Sequence, residues 1–73
     1  MPPITDAELD TWFTYHPPSK VQQEQYQALR DGARQFAQII KDNTPPSPDQ
    51  TTAIRKLREA VMTANAAIAC AGR

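Results

Sequence analysis

The chain has 73 residues and a mass of 8.1 kDa, with eight Lys and Arg against eight Asp and Glu. That length allows one small domain, spanning 1–73, and excludes a multidomain enzyme, since domains usually run to about 100 residues or more. A formal net charge of zero and a pI of about 6.5 exclude a general binder of DNA or RNA polymers, which carries a basic stripe.

So small a chain usually needs a staple: a disulfide, a metal or a partner. Cys70 is the sole cysteine and His16 the sole histidine, so neither an internal disulfide nor a four-ligand zinc site can be assembled. No cofactor or metal is expected, and self-association is the staple that remains. No apolar run approaches the roughly 18 residues of a membrane span. The opening MPPITDAELD lacks the basic start and apolar core of a signal peptide, so a cytoplasmic location is expected.

Prolines fall in three clusters, Pro2-Pro3, Pro17-Pro18 and Pro45-Pro46 with Pro48, and separate three proline-free segments. In the first, Thr5 and Glu8 have the spacing of a capping box, which predicts a helix from about 6 to 13. Its apolar residues Leu9, Trp12 and Phe13 form one stripe, and Trp12 and Phe13 are expected in the core. Asp6, Glu8 and Asp10 make this segment acidic, with no Lys or Arg before Lys20. The C-terminal segment is more basic, and the two are expected to be able to meet in the fold.

In the second segment Ser19 and Gln22 repeat the capping spacing, predicting a helix over about 20–42 with an inward stripe of Tyr26, Leu29, Ala33, Phe36, Ala37 and Ile40. Gly32 costs such a helix about 1 kcal/mol relative to Ala. It is either the site of a close backbone approach or a neutral surface residue.

The third segment starts with Ser47 as N-cap, Pro48 in the first turn, Asp49 at the positive end of the dipole and Gln50 at the box position. A helix over about 48–71 is predicted, with Gly72 as C-cap. Ile54, Leu57, Val61, Ala64 and Ile68 keep a heptad spacing, while Met62, Ala66 and Ala69 extend the apolar surface round the helix. The expected fold is all-α: a short N-terminal helix, then a long antiparallel αα-hairpin whose extra apolar surface is covered by copies of the same chain.

No catalytic set can be assembled. A hydrolytic triad needs a nucleophile, a base and an orienting acid, and the one imidazole lies in a Tyr15-His16-Pro17-Pro18 turn. The only glycines are Gly32 and Gly72, so there is no phosphate-binding loop, and Cys70 reads as a small buried filler. Binding chemistry is better supplied. Tyr15 and His16 put flat side chains beside a rigid corner, where aromatic rings can stack on nucleobases at about 1–3 kcal/mol each. Arg30 and Arg34 are i, i+4 on the second helix, and Arg55, Lys56 and Arg58 crowd the third. Guanidinium forks match phosphate oxygens. Asn65 is a polar residue amid small apolar ones, serving either an interhelix hydrogen bond or a ligand.

Several stretches together carry a family resemblance: Tyr15-His16-Pro17-Pro18, the Gln23, Tyr26, Arg30 pattern with Ala33, Pro46-Ser47-x-x-Gln50-Thr51, and Leu57-Arg58-Glu59-Ala60-Val61-Met62-x-x-Asn65-Ala66-Ala67-Ile68-Ala69. Over about residues 13–69 the chain resembles the helical-hairpin domain of phage sponge proteins that counter CBASS and Thoeris immunity. The resemblance implies a non-enzymatic homo-oligomer, commonly a hexamer. Such an assembly sequesters cyclic oligonucleotide or cyclic ADP-ribose-type messengers in the cytoplasm of the infected bacterial host. It further implies that Tyr15 stacks on a base at a subunit interface and that Arg30 meets phosphate. His16, Met62 and Asn65 stand in family-pattern positions, and Arg34 and Arg58 are the neighbouring candidates for phosphate. Cys70 stands where family members often have a basic residue. The chain has no β-rich N-terminal extension like that of some anti-Thoeris members, which points to the all-helical, anti-CBASS-like form. Two other readings stay open: a small phage structural or assembly protein with no ligand, and an inhibitor that binds a host immune protein directly.

Overall fold

Caps and prolines set the helix limits. The computed structural model describes residues 2–71, which form three α-helices and, among the described residues, no strand. Helix α1 spans Asp6–Phe13, α2 spans Lys20–Asn43 and α3 spans Pro48–Ala69.

Each helix begins at a hydroxyl that accepts from the backbone N–H three residues on: Thr5 Oγ1 from Glu8 at 3.1 Å, Ser19 Oγ from Gln22 at 3.1 Å and Ser47 Oγ from Gln50 at 3.2 Å. The reciprocal half of a capping box forms at Ser19, whose N–H donates to Gln22 Oε1 at 2.9 Å. At the end of α2, Thr44 leaves the helical region because a residue before proline is pushed to extended backbone. Asn43 Nδ2 and Thr44 Oγ1 then donate to the carbonyls of Ile39 and Ile40 in the last turns of the helix.

Helix α3 ends at Ala69, short of the expected limit, with Cys70 as its C-cap. Ala71 takes the left-handed conformation, φ 52°, and its N–H donates to the Ile68 carbonyl at 3.0 Å. The expected cap, Gly72, lies outside the described residues.

Helices α2 and α3 pack antiparallel along Tyr26, Leu29, Ala33, Ala37 and Ile40 on one side and Ile54, Leu57, Val61, Ala64 and Ile68 on the other. Two members of the expected inward surface turn out. Phe36 is 53% exposed, since at i+3 from Ala33 it is rotated off the seam, and Phe13 is 83% exposed in the last turn of α1. Trp12 is also half-exposed, so neither Trp12 nor Phe13 is core in one chain.

Helix α1 is tied to the far end of the hairpin through its Thr11 carbonyl. His16 Nε2 donates to it at 2.7 Å, and Cys70 Sγ lies 3.9 Å from the same oxygen. The acidic face of α1 therefore sits at the end of α3, about 18 Å along that helix from Arg58. Among the described residues it makes no ion pair with the basic start of α3.

Cys70, at 7%, is the one buried side chain among the described residues. The radius of gyration is 15.5 Å, against about 11 Å for a compact chain of this length. The accessible area is 6104 Å², against about 4,500 Å² for a compact monomer of this mass. Two helices side by side cannot enclose a core. No helix of the described residues is long and apolar enough to cross a membrane.

Candidate ligand groove on the hairpin

One side of the α2–α3 seam is rimmed by cations. Arg30 and Arg34, one turn apart on α2, stand across from Arg58 and Met62, one turn apart on α3. Between them Ala33, Ala37, Ile54, Leu57 and Val61 form an apolar floor. The small side chains at 33 and 37 make it a groove rather than a ridge. Met62 is 61% exposed and lends a flexible, polarisable wall.

Both α2 guanidiniums are steadied by glutamine. Arg30 Nη1 donates to Gln27 Oε1 at 3.2 Å, and the same amide donates through Nε2 to Asp31 Oδ1 at 2.7 Å. One turn on, Arg34 Nη1 donates to Gln38 Oε1 at 3.0 Å, and Gln38 Nε2 donates to Asp42 Oδ1 at 2.9 Å. Each aspartate is thus one link removed from its arginine. Among the described residues no carboxylate pairs directly with Arg30, Arg34 or Arg58. A guanidinium has several N–H donors, and this arrangement leaves donors on each for an incoming anion. Guanidinium planes also stack on aromatic rings. A flat body over the apolar floor with negative groups at the rim is the shape and charge the groove accepts.

The structure thus brings together Arg30, Arg34, Arg58 and Met62. Tyr15 and His16 are not part of this groove: they precede α2, and Arg30 lies about 16 Å along the helix from its start. Tyr15 is 80% exposed, whereas His16 is half-buried and turned onto Thr11. A carbonyl can only accept, so the proton resides on His16 Nε2. Asn65 lies one turn beyond Met62. Its Oδ1 is buried with no donor among the described residues, so of the two roles the sequence leaves open, an interhelix hydrogen bond is not made through that oxygen.

Gln27 and Gln38 were not singled out in the sequence. Their signal is the repeated placing of an amide three or four residues from an arginine and four from an aspartate. No group of three His, Cys, Asp or Glu among the described residues is placed to hold a metal ion.

A family model, the hairpin domain of Acb2/Tad1, matches residues 5–69, which takes in α1, both hairpin helices and every groove residue. No curated protein and no solved structure matches the chain. The matched span covers nearly the whole chain, and the protein belongs to the Acb2/Tad1 hairpin-domain family, the ligand-sequestering sponges of anti-CBASS and anti-Thoeris defence.

Proposed function

We propose that this protein binds and sequesters cyclic oligonucleotide or cyclic ADP-ribose-type messengers, without cleaving them, in the cytoplasm of an infected bacterial host. The observation that carries this reading is the groove itself. Arg30, Arg34 and Arg58 rim an apolar floor with no carboxylate among the described residues paired with them, which suits a ligand of flat bases and phosphates. Family membership supports the same class of ligand.

Tyr15 enters the site from a second copy. Within one chain it stands about three helical turns from Arg30 and is largely exposed, so a pocket containing both has to be built between protomers. Self-association, as the hexamer the family resemblance implies, supplies that second copy, and the large exposed surface of one chain supports it. Binding that does not favour a transition state yields capture and no turnover. The one imidazole is already committed to the Thr11 carbonyl.

The test is calorimetry against a panel of cyclic di- and trinucleotides and cyclic ADP-ribose isomers, with Tyr15→Ala and Arg30→Ala alongside. Tight binding of at least one ring, lost in both variants, with the ligand recovered intact after denaturation, is expected. Silence across the panel, or recovery of a linear product, would overturn the reading.

A further inference from the structure

Arg34 stands between two acceptors on its own helix, the carboxylate of Asp31 three residues before it and the amide of Gln38 four residues after it. Both spacings bring side chains together on a helix surface. Of the two, a carboxylate is the stronger partner for a guanidinium. Yet Arg34 Nη1 donates to Gln38 Oε1 at 3.0 Å, and among the described residues it makes no ion pair. The cause lies one turn back. Gln27 Nε2 donates to Asp31 Oδ1 at 2.7 Å, which turns that carboxylate toward the start of α2 and away from Arg34. The other end of the same amide, Oε1, accepts from Arg30 Nη1 at 3.2 Å. These partners fix the orientation of the amide, since the reverse would set its N–H groups against the guanidinium and its oxygen against the carboxylate.

We propose that Gln27 is a positioning residue for the anion groove, holding Arg30 at the rim through its oxygen and holding the Asp31 carboxylate off Arg34 through its nitrogen. One neutral side chain thereby serves two cations. Arg30 and Asp31 are neighbours in sequence and do not face each other on the helix, so the competition is for Arg34. A guanidinium paired with Asp31 would offer an incoming phosphate fewer donors and a neutralised charge. With Gln27 in place, an anion meets Arg30 and Arg34 one turn apart and Arg58 across the seam, none of them paired with a carboxylate among the described residues. Only an amide fills both roles: a carboxylate at position 27 would pair with Arg30 itself and repel Asp31 toward Arg34. The inference rests on the anion-binding reading of the groove and adds the residue that keeps its cations open.

Gln27→Met keeps the length and helix propensity of the side chain and removes both hydrogen bonds. Two measurements read the result. In the ligand-free protein the side-chain Nε–H signal of Arg34, followed by nuclear magnetic resonance, is expected to move in Gln27→Met as the carboxylate swings onto it, and to return when Asp31→Asn is added. By calorimetry against cyclic diadenylate, cyclic triadenylate and cyclic ADP-ribose, the ring bound most tightly is expected to lose about two- to fivefold in affinity in Gln27→Met, the range of an exposed ion pair that the ligand must break. Asp31→Asn should then recover more affinity in that background than it adds to the unaltered protein, a coupling that a general loss of packing would not produce. An unmoved Arg34 signal, or equal gains from Asp31→Asn in the two backgrounds, would overturn the role of Gln27. Binding of none of the three rings by the unaltered protein would count against the ligand reading, while the Arg34 signal of the ligand-free variants still decides the role of Gln27.

Discussion

The side-chain amide of Gln22 spans the hairpin: its Nε2 donates to the main-chain oxygen of Ile68, 3.1 Å away in the last turn of α3, while its Oε1 accepts from Ser19 N–H. Gln50 has the counterpart role at the other end, donating to the Lys41 and Thr44 carbonyls at 3.2 and 3.0 Å and to Thr44 Oγ1 at 3.0 Å. Both are the third residue of their helix, where glutamate or glutamine closes a capping box. Only glutamine can also donate to carbonyls at the C-terminus of the antiparallel neighbour, which at Ile68 fills the lone pair left beside the bond from Ala71 N–H.

Replacing Gln22 by Glu therefore keeps the acceptor for Ser19 and strips the donor from Ile68. A carboxylate against a carbonyl should cost about 1–3 kcal/mol, and in a chain this short each kcal/mol lowers the melting temperature by about 4–8 °C. Thermal unfolding followed by circular dichroism checks it. An unchanged midpoint in Gln22→Glu would mean that the cross-helix bond contributes nothing.

The seat of α1 rests on the Thr11 carbonyl, which His16 Nε2 approaches at 2.7 Å and Cys70 Sγ at 3.9 Å. His16→Ala removes the shorter of these contacts and should loosen α1 over the thiol. Cys70 is expected to react slowly with an aromatic disulfide reagent in the unaltered protein and several-fold faster in the variant, about what 1 kcal/mol of local stability supplies. Equal rates would show that α1 is held by something other than His16.

Asn65 offers an unusual direction of effect. Its Oδ1 is buried with no donor among the described residues, and alanine is the better helix former, so Asn65→Ala should raise stability by about 1 kcal/mol. The midpoint of thermal unfolding should rise by several degrees. A fall would show that the oxygen acquires its donor from another copy in the assembled protein.

Arg34 and Arg58 rim the groove from opposite helices. Changing either to Gln removes one charge-assisted contact, expected to weaken binding of the best cyclic nucleotide about tenfold or more by calorimetry. The loss should shrink as salt rises, because the missing contact is ionic. A salt-independent loss would point to altered packing in place of a lost phosphate contact.

Tyr15 separates binding from folding. Its ring is 80% exposed in one chain, so Tyr15→Ala should shift unfolding by no more than about 0.5 kcal/mol. Retained ligand affinity in a variant so well folded would place the stacking platform on another residue.

Local signals were legible because they depend on few residues. Thr5, Ser19 and Ser47 each accept from the N–H three positions on, and a helix start needs nothing beyond that turn. The heptad line from Ile54 to Ile68 marks the inward side of α3 for the same reason: the 3.6-residue period fixes which side chains share a face. Phe36, Trp12 and Phe13 were misplaced because apolar character says that a side chain seeks cover, not which neighbour provides it. In one hairpin those three find little.

The candidate site divides along the same line. Arg30 and Arg34 share a face by their four-residue spacing, which the sequence alone determines. That Arg58 and Met62 stand opposite them, and that Tyr15 does not, follows from the antiparallel register set by the Pro45-Pro46 turn and by the amides of Gln22 and Gln50 clamping the two ends. By itself the sequence determined three helices, their starts and their apolar stripes, since capping and periodicity are local. Only the tertiary structure decided which cations meet across the seam and which apolar faces are left uncovered, because these depend on how two helices are aligned and on there being no third to close over them.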